Sequence, residues 1–156
     1  MGYGLPAAIG AAFANPGKPV VMIAGDGGFQ NNLQELQTIV RNRLPIKMIV
    51  MNNGCPGMVR QFQESYFDRR YQSTVWGYSA PDFVQVAAAY GIAGKTVADH
   101  ASVDDALAWL WRAPLEPALL DVRIESSINV YPKIAFGKPM TEMEPFATPE
   151  DLHGRK

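Results

Sequence analysis

Two strand-sized apolar runs, Val20 to Ala24 and Ile46 to Met51, each end in a hard oxygen donor: Gly25-Asp26-Gly27 after the first, Asn52-Asn53 after the second. Continuous apolar runs bounded by turn residues mark strands covered on both faces, as in parallel sheets. Between them Leu33, Leu36 and Val40 recur at helical spacing, which predicts an amphipathic helix from about Gln30 to Asn42. Strand, helix and strand in this length make one right-handed crossover, and a crossover of that kind returns both strand ends to the same edge of a sheet. Asp26 and Asn53 are therefore predicted to meet. A carboxylate and a carboxamide at one edge are the donors that a magnesium ion carrying a diphosphate needs.

The flanking segments extend this pattern. Leu5 to Ala14 reads as a helix with Pro6 in its first turn, ended by Asn15-Pro16-Gly17-Lys18. Downstream, Ser79-Ala80-Pro81-Asp82 opens a helix with Phe83, Val84, Ala87 and Ala88 inward and Gly91 as its stop. A strand follows near Ala93 to Val97. Ser102-Val103-Asp104-Asp105 then caps a helix with Leu107, Leu110 and Trp111 on one face, and Pro117 to Ile124 reads as a further central strand. The expected fold is α/β: a doubly wound, mostly parallel sheet with helices on both faces, spanning residues 1–128. Prolines at 132, 139, 145 and 149 argue against regular structure in 129–156, which reads as an extended tail with a frayed end at Asp151 to Lys156.

Composition narrows the function. In 156 residues, 14 basic and 15 acidic side chains leave a net charge of -1, which favours no nucleic acid or polyanion. No apolar run approaches the roughly 20 residues of a membrane span. Cys55 is the only cysteine, and His100 and His153 are the only histidines. An internal disulfide and a Cys/His metal cluster are therefore excluded, and a reducing cytoplasm is expected. The partner is expected to be a small molecule.

Asp-Gly or Asn-Gly alone is common in ordinary turns. What carries information is their order, their strand ends and their spacing. A dinucleotide fingerprint fails because residue 30 is glutamine where the third glycine belongs, and because an acid inside the turn repels a pyrophosphate unless a metal intervenes. A Walker-type loop fails for want of Gly-Lys-Ser/Thr.

Gly-Asp-Gly followed at this distance by Asn-Asn resembles the fingerprint of thiamine-diphosphate enzymes. Met1-Gly-Tyr-Gly-Leu-Pro-Ala-Ala-Ile-Gly-Ala-Ala, Gly57-Met58-Val59-Arg60-Gln61-Phe62-Gln63 and Asn129-Val130-Tyr131-Pro132 further resemble segments of the C-terminal diphosphate-binding domain of the acetolactate synthase family. The resemblance covers residues 1 to about 146. It implies that Asp26, the Asn53 side chain and the backbone carbonyl of Cys55 ligate Mg2+. Gly25, Gly27, Gly28 and Gly57 would surround thiamine diphosphate, Met1 and Met58 would contact its aminopyrimidine, and Phe62 would stand in the substrate pocket where the family places tryptophan. Pro56 replaces the family's usual leucine, and the thiol of Cys55 has no role in this assignment.

The resemblance also implies the reaction: decarboxylation of pyruvate and transfer of its two-carbon unit to a 2-keto acid, with the cofactor performing the hard chemistry. The glutamate that activates the cofactor belongs in that family to the N-terminal domain of a partner subunit. Glu35, Glu64 and Glu125 do not stand in its place. The chain is thus expected to be a C-terminal fragment or split product of a three-domain, homo-oligomeric enzyme, inert alone, with FAD conceivable only in the missing domains. Two alternatives stand beside this one. The first is a related enzyme delivering the two-carbon unit to a keto-sugar or other carbonyl in polysaccharide synthesis, suggested by Phe62 and the unusual tail. The second is a non-catalytic truncated binding module.

Overall fold

The computed structural model describes residues 1–134, 136–141 and 143–144. Its centre is a four-stranded parallel sheet in the order β1-β2-β4-β3, made of Val20–Gly25 (β1), Ile46–Asn52 (β2), Ala93–Val97 (β3) and Ala118–Arg123 (β4). The helices are Gly4–Ala14 (α1), Asp26–Gln30 (α2), Leu36–Asn42 (α3), Gly57–Tyr66 (α4), Phe83–Ala89 (α5) and Val103–Leu110 (α6). Side chains alternate across a strand, and the sheet accordingly has two apolar faces. On one, Met22, Met48, Val50 and Leu119 pack with Leu5 and Ile9 of α1, Leu36 and Ile39 of α3, and Phe83 and Ala87 of α5. On the other, Ala118, Leu120 and Val97 pack with Ala106 and Leu110 of α6. This is the expected doubly wound α/β fold with helices on both faces.

Several local expectations need correction. β1 is not covered on both faces: it is an edge strand, with Val21 47% and Ile23 66% exposed. Among the described residues α6 is the helix packed on that second face, and it lies over β3 and β4. The helix predicted from Gln30 begins earlier, at Asp26, and breaks at Asn31-Asn32 before a 3-10 turn at Leu33–Glu35. At the break Asn32 donates through Nδ2 to the Gly2 carbonyl at 2.6 Å, a tertiary bond that ties this turn to the segment ahead of α1. Ser102 precedes α6 without a side-chain cap bond, and Asp99 instead caps the 3-10 turn at His100–Ser102 that leads into the helix, accepting from the Ser102 amide at 2.9 Å. The buried stripe of α6 is Ala106 and Leu110, while Leu107 and Trp111 are exposed. In α5, Asp82 caps the first turn, Phe83 and Ala87 are buried, and Ala88 faces outward.

α4 was not anticipated. Its amphipathicity is inverted: Arg60 and Gln61 are buried, whereas Met58, Val59, Phe62 and Tyr66 are exposed. An apolar stripe reading assigns such a helix the wrong inner face.

The chain divides into two units, residues 1–126 and 127–156. Within the second, Lys133–Ile134 (β5) pairs antiparallel with Met143–Glu144 (β6), so the proline-rich tail holds a short hairpin where no regular structure was expected. The predicted fraying at Asp151 to Lys156 lies outside the described residues.

Phe83 is fully buried and meets Phe29 edge-on, with ring centroids 5.4 Å apart. Phe83→Ala should lower stability by about 3–5 kcal/mol, read as a fall in the urea midpoint. Val21→Thr on the open face of β1 should change it by no more than about 0.5 kcal/mol.

Candidate functional site

β1 and β2 run in parallel register with Gly25 opposite Met51, so the residues that follow each strand leave from the same edge. Asp26 opens α2 there and is only 1% exposed. Burial raises its carboxyl pKa above the ordinary value, against the lowering effect of the Tyr78 hydroxyl and of backbone N–H groups at Gly27, Asp26 and Gly54. Its two oxygens face different ways. Oδ2 accepts from the Tyr78 hydroxyl at 3.0 Å, while Oδ1 lies 3.1 Å from one terminal atom of the Asn53 carboxamide.

That same Asn53 atom is 2.6 Å from the Cys55 carbonyl oxygen. Turned with nitrogen inward, the amide donates to both oxygens. Turned with oxygen inward, three oxygens converge with only the Cys55 N–H, 3.4 Å away, as a donor to the Asn53 oxygen. Three facing oxygens repel unless a cation lies among them, and carboxylate, carboxamide and carbonyl are the oxygen donors that Mg2+ or Ca2+ prefers. The residues thus fit a hard divalent ion. Among the described residues there is no group of three His, Cys, Asp or Glu side chains able to hold a metal, because two of the three donors here are an amide and a backbone carbonyl.

The loop between these donors is tightly specified. Asn52 accepts from the Gly54 amide through Oδ1 at 3.2 Å and donates from Nδ2 to the buried Asp121 at 2.9 Å. Asp121 in turn lies 2.7 Å from the Arg123 guanidinium. Gly54 has φ +67, a left-handed conformation that favours glycine. Gly57 has a different need, since a Cβ there would stand 2.6 Å from Asn53 Nδ2. The Cys55 thiol is buried, with its pKa raised chiefly by that burial, and sits 3.8 Å from the Ser126 carbonyl. It is a poor nucleophile at neutral pH.

Other predicted residues lie around this point. Met1 is exposed, but its methyl would be 3.3 Å from a Cβ built at Gly27; Gly28 lies against the Gly2 amide, and Gly25 lies by the Met51 carbonyl. Met58 and Phe62 sit one turn apart on the exposed face of α4, where the Phe62 ring is 4.8 Å from Tyr66 and 5.7 Å from Phe67. Sequence reasoning missed Tyr78, whose loop carries no motif. It also gave Gln30 no part in the site, reading it as a helix start and as the residue that breaks a dinucleotide pattern. In the fold, Gln30 Nε2 donates to the Tyr78 oxygen at 2.9 Å and to the Ser79 carbonyl at 3.2 Å. Burial and the neighbouring Asp26 raise the Tyr78 pKa, so its hydroxyl remains a proton donor.

Fold and donor set together define a class: α/β domains that present oxygen ligands beyond the carboxyl ends of a parallel sheet. Within it, the chain belongs to the family described as thiamine pyrophosphate enzyme, C-terminal TPP binding domain, whose model matches residues 1–122. It is 41% identical over 150 residues to the acetolactate synthase large subunit of Porphyra purpurea, covering 96% of this chain and 25% of that protein. To the acetolactate synthase isozyme 2 large subunit of Escherichia coli it is 42% identical over 143 residues, 92% of this chain and 26% of the relative. Among solved structures it is similar to a thiamine diphosphate-dependent 4-hydroxybenzoylformate decarboxylase of Rhodococcus jostii. The TM-score is 0.69 at 31% identity, with 80% of this chain and 23% of that one covered. The chain therefore spans about a quarter of the length of the curated relatives it matches.

Gly57→Ala should leave the melting temperature nearly unchanged, because the clash falls on the end of one side chain, yet weaken thiamine diphosphate binding at least about tenfold by pushing Asn53 aside. Asp26→Asn should raise the melting temperature of the ligand-free chain at pH 7. A carboxyl with a raised folded-state pKa loses stability as pH rises above its unfolded value, and the amide has no such loss. Melting curves at pH 4 and pH 7 check the sign, since the gain should shrink at the lower pH.

Proposed function

We propose that this chain is the thiamine-diphosphate- and magnesium-binding domain of an acetolactate-synthase-like carboligase, acting on pyruvate and a second 2-keto acid, and inert without the rest of that enzyme. One observation carries the reading: the Asn53 terminal atom lies 3.1 Å from Asp26 Oδ1 and 2.6 Å from the Cys55 carbonyl oxygen, at the carboxyl edge of a parallel sheet. In this reading Asp26, Asn53 and the Cys55 carbonyl hold Mg2+, which offsets the diphosphate charge. Gly25, Gly27, Gly28 and Gly57 leave room for the diphosphate, Met1 and Met58 flank the aminopyrimidine, and Phe62 borders the substrate.

When bound, thiamine diphosphate supplies the carbon that makes decarboxylation and two-carbon transfer feasible. The chain's own residues do the holding. Asp26 and Asn53, fixed by two adjacent strands, orient the cation, and the buried Asp121–Asn52 pair keeps the loop from drifting. The exposed Met58 and Phe62 offer apolar surface that can keep water from an acceptor carbonyl. Glu35 accepts from the Thr38 hydroxyl at 2.8 Å, and Glu64 pairs with Arg60 at 3.3 Å. The activating carboxylate is assigned to another part of the enzyme.

With Mg2+ and a hundredfold excess of thiamine diphosphate over its Kd, the chain should gain about 2.7 kcal/mol of stability. For a chain of this size that is a rise on the order of 5–10 °C in melting temperature. Chelation with EDTA should remove it, and the loaded chain should consume no pyruvate. A ligand-independent melting temperature would overturn the binding assignment, and turnover by the isolated chain would overturn its inertness.

A further inference from the structure

The carboxylate of Asp26 is divided between two environments. Oδ1 lies 3.1 Å from the Asn53 terminal atom that also stands 2.6 Å from the Cys55 carbonyl oxygen, while Oδ2 accepts from Tyr78 at 3.0 Å. Tyr78 is itself held, because Gln30 Nε2 donates to its oxygen at 2.9 Å and to the adjacent Ser79 carbonyl at 3.2 Å. Gln30 closes the helix that Asp26 opens, four residues on, so both grip the same tyrosine from one helix face. Gly27 leaves space for the hydroxyl, which would be 3.4 Å from a Cβ at that position. Asp26 is thereby prevented from rotating both oxygens toward its neighbours.

That restriction matters for a cation. Mg2+ requires near-ideal octahedral geometry with single-oxygen ligands, whereas Ca2+ takes more ligands at longer distances and accepts bidentate carboxylates. We propose that Tyr78 is a positioning residue for Asp26: by occupying Oδ2, and being locked by Gln30, it leaves one carboxylate oxygen for the cation and so favours a small octahedral ion over a larger one. This rests on the reading of Asp26 as a cation ligand. Removing the hydroxyl frees Oδ2, which weakens the directed contact and opens the bidentate mode that suits the larger ion.

The test uses the 156-residue chain with thiamine diphosphate, titrated calorimetrically with Mg2+ and with Ca2+, in wild type, Tyr78→Phe and Gln30→Leu. Loss of an outer hydrogen-bond partner costs metal affinity about 10–100-fold. For Tyr78→Phe, Mg2+ affinity should fall in that range, Ca2+ affinity should hold or rise, and the ratio of the two should drop at least about tenfold. Gln30→Leu keeps the tyrosine and should shift the ratio the same way by less. A merely structural role for Tyr78 would weaken both ions equally. Equal weakening, or no change in the ratio, while wild type binds both ions would overturn the inference and leave the site assignment standing. Absence of any cation-dependent binding in wild type would remove the site assignment and the inference together.

Discussion

Everything at the site depends on the parallel register of β1 against β2. Six consecutive pairs run from Val20 opposite Ile46 to Gly25 opposite Met51; β1 ends there and β2 one residue further at Asn52, and the next residue of each, Asp26 and Asn53, is a donor. A slip of one residue in β2 would turn every side chain to the other face, taking Met48 and Val50 away from α1 and α3 and bringing the Lys47 ammonium into their apolar layer. Hydrophobic burial thus sets the position of polar atoms several ångströms away. The core supplies the alignment, and the oxygen cluster inherits it.

The residues that hold this geometry are more polar than a stability argument alone would choose. Asp121 is fully buried in β4 opposite Val50, and it spends one oxygen on Asn52 and the other on Arg123. Lys47 is buried in β2, donating to the carbonyls of Ala113 and Glu116 beyond α6 at 2.7 and 2.5 Å. Both sites desolvate charge, which is costly unless every polar atom is answered. Asp121 ties the loop bearing Asn53 to the central strand. Lys47 ties the segment after α6 to the sheet. Cost in stability is here exchanged for fixed backbone positions.

Much was legible without coordinates. The parallel crossover, the doubly wound sheet and the convergence of Asp26 with Asn53 follow from apolar runs, turn residues and handedness, which are local or nearly local properties. The resemblance to the thiamine pyrophosphate family was visible in motifs spread along the chain, and the family match over residues 1–122 bears it out. Less legible were features set by distant neighbours. The exposure of Ile23 depends on which strand lies at the edge. Arg60 and Gln61 turn inward on α4 while Met58 and Phe62 turn outward, against any hydrophobicity rule.

By itself, then, the sequence determined which segments become the four strands of the main sheet, that these run parallel, and that two oxygen-bearing residues leave the same edge, because period, length and chirality act within a few dozen residues. Only the tertiary structure decided which donor answers which oxygen. Tyr78 lies 52 residues from Asp26 and Asp121 lies 69 from Asn52. No local pattern encodes such pairs, for a hydrogen bond is selected by distance and angle after the chain has packed, when each buried polar atom must take a partner among those brought within reach.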